Sequence, residues 1–214
     1  MNISRRNIIL QVVTNALAVC LFVLGWIENL NTKDGTLTAY GFSFLKYYTV
    51  ISNALWSLLS VAMLVVLIRA LAGHRSVSIP RLLFLFKYIV AAMLSVTFLV
   101  VVFMLAPMLG FAELFSGPNF WYHLIIPVMA IVEFICLDNY GTIKFSATFI
   151  TLIPTIIYAA VYWTNILVNG VEGNDIYGIL TWGIGGGILI LAMIILFNWG
   201  SALLLRIGKR PPRA

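Results

Sequence analysis

Tyr48-Thr49 and Ser52-Asn53 stand at the head of one long apolar run, and Trp121-Tyr122-His123 stands at the head of another. A threonine hydroxyl becomes a useful nucleophile only beside a base, and histidine is the usual base near neutral pH. Thr49 and His123 therefore read as nucleophile and general base, a pair suited to acyl transfer. At about 3.6 residues per turn, Thr49, Asn53, Trp56 and Ser60 share one helix face, with Ser52 beside Asn53. That is a polar stripe where lipid would want none. Taken singly, Thr49, Ser52 and Asn53 read as interhelical hydrogen-bonding groups and His123 as an interfacial anchor. Their matched depth is what makes them a candidate site.

The elements that must position them are membrane spans. Of the 214 residues, 62% are hydrophobic and only 9% charged, against about 25% charged in soluble domains. Runs of about 20 apolar residues, enough to cross a hydrocarbon core roughly 30 Å thick, extend from Ile8 to Glu28, Phe44 to Leu71, Pro80 to Leu109, Phe120 to Leu137, Ile143 to Leu167 and Ile179 to Leu205. The expected fold is all-α: a polytopic membrane protein, one domain of six transmembrane helices.

Cytoplasmic loops retain Lys and Arg near helix ends. Arg5, Arg6, Arg69, Arg75, Arg81, Lys87, Lys144, Arg206, Lys209, Arg210 and Arg213 fall on one side, which places both termini in the cytoplasm. Glu28, Asp34, Glu113, Glu172 and Asp175 fall outside, with Lys33 and Lys46, while Asp138 stays inside. The net charge of +6 is thus a topology signal that also suits anionic lipid heads, and no nucleic-acid partner is expected. Ser4-Arg5-Arg6 lacks the cleavage pattern of an export signal, so the first run is expected to stay as a span.

At 1.5 Å rise per residue, Thr49 lies only about 4 to 5 Å past Lys46, just under the outer surface. His123 lies about one turn below the outer end of its own helix. Pro127 cannot donate to the His123 carbonyl, so the backbone is expected to loosen and kink there. A second kink is expected at Pro154, on a helix that places Thr151, Thr155, Tyr158 and Tyr162 along one face. These two tyrosines either meet substrate or join an aromatic belt with Trp26, Trp121, Trp163 and Trp182. The acidic, Gly-containing loop from Asn169 to Gly178 is placed to cover the site, and Gly183, Gly185, Gly186 and Gly187 are expected to allow close helix packing.

Glu133 lies ten residues, roughly 15 Å, beyond His123, too deep to orient it. An ionised carboxylate at mid-membrane costs at least about 2.5 to 3.5 kcal/mol, which leaves proton uptake, an inner polar network or a bond to Asn15 all open. Gln11, Thr14 and Asn15 read as interhelical hydrogen-bonding groups. Cys20 and Cys136 lie in different helices at different depths, so no disulfide is expected and both read as small core residues. The only histidines, His74 and His123, fall on opposite sides of the membrane, so neither a metal nor a cofactor is expected.

The Tyr48-Thr49 pair with Ser52-Asn53, the histidine of His123-Leu-Ile-Ile-Pro127, and an acid ten residues later resemble the androgen-induced-gene-one-like membrane family (FAR-17a type) and its bacterial relatives. The resemblance covers the second to fourth helices best. It implies an intramembrane threonine hydrolase, its animal members cleaving fatty acid esters of hydroxy fatty acids, and a place in a bacterial cytoplasmic membrane. Glu133 stands where the bacterial relatives carry aspartate.

The expected function is hydrolysis of a lipid-like, long-chain acyl ester by Thr49 and His123, with Ser52, Asn53, Tyr158 or Tyr162 holding substrate or oxyanion and the surrounding membrane lipids as partners. The alternatives are acyl transfer by the same pair, or a non-catalytic protein, either a small transporter or a lipid- or peptide-binding assembly factor.

Overall fold

Six stretches become helices long and apolar enough to cross a membrane in the computed structural model, which describes residues 4–31, 45–73 and 77–209. They are α1 (Arg5–Asn31), then α2 (Tyr48–Ala72), α3 (Arg81–Leu109), α4 (Pro118–Cys136), α5 (Ala147–Asn169) and α6 (Ile179–Gly208). The protein is an all-α polytopic membrane protein, with no strand among the described residues. Most of the loop from Asn29 to Gly41, with Lys33 and Asp34, and also Phe44, His74, Arg75, Arg210 and Arg213 lie outside the described residues, as do the expectations placed on them.

A helix that is apolar all round belongs inside a bundle, and α3 is that helix: Lys87 through Thr97 are buried without a break. Ala91 and Ala92 present no bulk, so neighbouring backbones approach closely. Cross-links in α3 are sparse and specific. The Tyr88 hydroxyl donates to the Ala202 carbonyl of α6 at 2.8 Å, and Thr97 shares a 3.1 Å hydroxyl bond with Ser52 of α2. Elsewhere the bundle turns large apolar side chains outward, such as Leu167, Leu189 and Leu204, at 76%, 63% and 69% exposure.

Prolines shape three spans. Pro127 and Pro107 each follow a wide π turn, Trp121–Ile125 and Val101–Leu105, centred on His123 and Phe103. These are the residues whose carbonyls the prolines cannot serve, and the extra residue in the turn absorbs the missing bond. In α5 the break falls at Thr151, between Ala147–Ile150 and Leu152–Asn169, rather than at Pro154 itself. The Thr151 carbonyl accepts from the Asn198 amide at 3.1 Å.

Several boundaries differ from expectation. α2 begins at Tyr48 instead of Phe44, because Tyr47 is extended (φ −82°, ψ 127°), and α5 begins at Ala147 instead of Ile143. Of Gly183, Gly185, Gly186 and Gly187, it is Gly187 that is pressed against another span: a Cβ there would lie 3.0 Å from the Trp163 ring. Cys20 and Cys136 are unpaired and exposed on the bundle surface, not core residues.

Candidate functional site

The late start of α2 decides what surrounds Thr49. The first four N–H groups of a helix have no partner within it; here they belong to Tyr48, Thr49, Val50 and Ile51. Tyr48 donates to the Tyr177 hydroxyl at 2.9 Å, and Ile51 donates to the Tyr47 carbonyl at 3.1 Å. That leaves the N–H groups of Thr49 and Val50 unbonded among the described residues, at the positive end of the helix dipole. The Thr49 hydroxyl also makes no bond among the described residues.

His123 sits at the centre of the π turn in α4, 9% exposed. Its Nδ1 lies 2.8 Å from the Leu114 carbonyl, in the short helical turn Phe111–Leu114 that follows α3. A carbonyl can only accept, so Nδ1 carries the proton and Nε2 keeps its lone pair. The ring is thereby held in the tautomer a general base requires.

One side chain ties these two elements together. The Asn53 amide donates to the Thr49 carbonyl at 2.8 Å and to the Tyr122 carbonyl at 3.0 Å. The turn that carries Thr49 is thus pinned to the residue preceding His123. Tyr122 is fixed in turn by donating to the Phe22 carbonyl at 3.0 Å, its ring laid on Gly25, where a Cβ would approach to 2.8 Å. Only glycine fits under that ring. Trp121 adds a 3.1 Å bond to Glu28, so α1 buttresses the site.

Thr49, Val50, Tyr122, His123 and Tyr177 all border one cavity of about 240 Å³. On its other side Thr49 borders a second, almost wholly apolar cavity of about 70 Å³ between α2, α3, α5 and α6. The threonine therefore stands where a chamber of mixed polar and apolar lining meets an almost wholly apolar one. No family model, curated protein or solved structure matches the chain. Its function must be read from these side chains.

Ser52 and Asn53, expected near an oxyanion, are turned away from both cavities. Ser52 gives its proton to the Thr49 carbonyl at 3.0 Å or shares it with Thr97, and both Asn53 amide protons are spent on carbonyls. Tyr158 and Tyr162 border the apolar cavity, but their hydroxyls donate to the Lys46 carbonyl, at 2.6 Å, and to Asp175. The residue sequence reasoning missed is Tyr177. It lies in the loop expected to cover the site and lines both cavities. Its hydroxyl accepts from Tyr48 and keeps its own proton, because desolvation among the packed tyrosines raises it well above the usual 10.0. Asp175 holds that loop by accepting from the N–H groups of Ile179 and Leu180 at 2.9 and 2.8 Å.

Glu133 belongs to a separate network. The Lys87 ammonium lies 2.5 Å from Glu133 Oε1 and 2.8 Å from Asp138 Oδ2, all three side chains fully buried. Asn15 donates to the same Glu133 oxygen at 2.6 Å, and Gln11 donates to the Leu137 carbonyl at 3.1 Å. The bond to Asn15 and the inner network, two of the three roles left open for Glu133, are both present. Lys87, expected among the cytoplasmic-side charges, is buried in the core beside Asp138, 4.8 Å over the Trp56 ring. The available signal was its spacing, since Lys87 follows Phe84 and precedes Ala91 on the buried stripe of α3. Among the described residues no group of three His, Cys, Asp or Glu side chains could hold a metal.

Proposed function

We propose that this chain hydrolyses long-chain acyl esters within the membrane, with Thr49 as nucleophile and His123 as general base and then acid. The observation that carries the reading is the single cavity bordered by Thr49 and by a histidine whose Nδ1 is committed to a carbonyl. The Thr49 hydroxyl passes its proton to His123 Nε2 as Oγ attacks the ester carbonyl carbon. The resulting oxyanion is met by the Thr49 and Val50 N–H groups at the head of α2, with the Tyr177 hydroxyl, 3.3 Å from that of Tyr158, turning to join them. His123 then protonates the departing alkoxide, which leaves acyl-Thr49 and a free alcohol. Water enters the mixed chamber, gives its proton to His123, and releases the fatty acid as Thr49 recovers its proton.

The resemblance to the androgen-induced-gene-one-like family supports the same pair, and the Lys and Arg bias supports a cavity opening on the extracytoplasmic side of a bacterial cytoplasmic membrane. Acyl transfer to a lipid alcohol would use the same atoms, so product analysis with and without added alcohol separates the two. The direct test is hydrolysis of a long-chain ester in nanodiscs: Thr49→Ala and His123→Ala should each abolish turnover while melting like the parent. Turnover that survives Thr49→Ala would refute the assignment.

A further inference from the structure

The apolar cavity beside Thr49, at about 70 Å³, falls well short of the roughly 300 to 1,000 Å³ of ordinary ligand pockets. A long acyl chain does not fit there. The adjoining space of the right size is a groove of about 760 Å³ between α2 and α5. Its walls are Ile51 and Leu55 on α2 and Ile157 and Val161 on α5, with Met93 of α3 as floor. Ile157 and Val161 are 59% and 64% exposed, so the groove opens sideways toward lipid. Its outer rim turns polar at Asn165 and Asn174. That gradient matches an amphiphile lying along the spans, head at the rim and chain on the walls.

Groove and inner cavity share Tyr48, Tyr158 and Tyr162 as a common partition. The Tyr48 and Tyr158 rings meet edge to face with centroids 5.1 Å apart. Each is latched by a hydrogen bond, Tyr48 to Thr155 at 2.8 Å and Tyr158 to the Lys46 carbonyl at 2.6 Å. These rings are what stands between the groove and the apolar cavity that Thr49 borders.

We infer that this groove is a lateral port for the acyl chain of a membrane ester lipid, gated by Tyr48 and Tyr158. The inference rests on the hydrolase reading for its destination, but the occupancy of the groove can be tested separately. Ile157→Trp fills the groove from a lipid-facing position. It should lower turnover of a long-chain ester in phosphatidylcholine vesicles tenfold or more, with p-nitrophenyl acetate cleaved as before; Leu189→Trp, on the lipid face of α6, should change neither. In the Thr49→Ala protein, a diazirine-bearing acyl phosphatidylcholine should label Leu55 and Ile157 well above Leu189. Unchanged long-chain turnover, equal loss of both substrates, or labelling spread evenly over the lipid faces would overturn the port. If the parent protein cleaves neither ester, the hydrolase reading fails and the labelling alone decides the port.

Discussion

Asn53 donates across 3.0 Å to the carbonyl of Tyr122, while the same nitrogen holds the Thr49 carbonyl at 2.8 Å. Asn53 thus ties the backbone turn of Thr49 to the residue preceding His123, the two side chains to which the proposed hydrolysis gives the chemistry. Interhelical hydrogen bonds in membranes contribute only about 0.6 kcal/mol each, so Asn53→Ala should lower stability by about 1 kcal/mol. Its effect on activity should be far larger, because a misplacement of about 1 Å can cost about 100-fold in rate. Melting and turnover measured on the same preparation check the split; a proportionate loss of both would count against a positioning role.

Pro127 keeps the π turn open at His123. Pro127→Ala restores a backbone donor for the His123 carbonyl, which lets the turn relax toward a regular helix and rotates the imidazole away from Thr49. The variant should melt at or above the parent temperature yet lose most of its turnover. Thermal denaturation and ester hydrolysis together test this, and a fully active, stabilised variant would show that the π turn does not aim the ring.

The Lys87, Glu133 and Asp138 cluster is expected to support the fold rather than the chemistry. Removing one partner of a buried pair strands charge and costs about 3 to 5 kcal/mol, so Lys87→Met should be strongly destabilised, with Glu133→Gln and Asp138→Asn together restoring much of the loss. The cluster lies roughly 15 Å of helix from His123, so turnover per folded molecule should be unchanged. Proton-coupled uptake that fails in Glu133→Gln would instead favour a transporter.

Lys209, beyond the end of α6, donates to the carbonyls of Phe134, at 3.0 Å, and Asp138, and packs 4.1 Å over the Phe134 ring. Burial pushes its ammonium down from 10.5 to about 8, with Asp138 opposing and Lys87 adding to the shift. Between those values the unfolded chain holds more protons than the folded one. On this group's account, stability therefore rises with pH from about 8 to 10.5. Side-chain carbon NMR of labelled lysine should show one midpoint near 8 that disappears in Lys209→Met; a midpoint near 10.5 would contradict the burial.

The six spans are legible in the sequence because length and hydropathy alone demand them, and the common depth of Thr49 and His123 follows because helical rise converts position into depth. Azimuth does not follow. Ser52 and Asn53 share a face with the site in sequence, yet their protons turn back to the Thr49 carbonyl of their own helix and, for Asn53, to the Tyr122 carbonyl that only the folded bundle brings near. The start of α2 is not legible because Phe44, Leu45 and Lys46 continue the apolar run, while the extended Tyr47 and the Tyr48 N–H meet Tyr177, far along the chain. With it go the N–H groups of Thr49 and Val50, unbonded among the described residues. The burial of Lys87 is not legible in the same way, because counting charges near helix ends carries no information about partners; its ion pairs are with Glu133 and Asp138 of a different segment.

The central claim is that Thr49 Oγ becomes covalently bonded during turnover. The most direct measurement is mass-spectrometric mapping of the adduct left by a fluorophosphonate on the protein in nanodiscs. The account predicts modification of the peptide bearing Thr49, retained in Thr49→Ser, lost in Thr49→Ala and suppressed in His123→Ala. Modification at another residue, or labelling undiminished in Thr49→Ala, would contradict it.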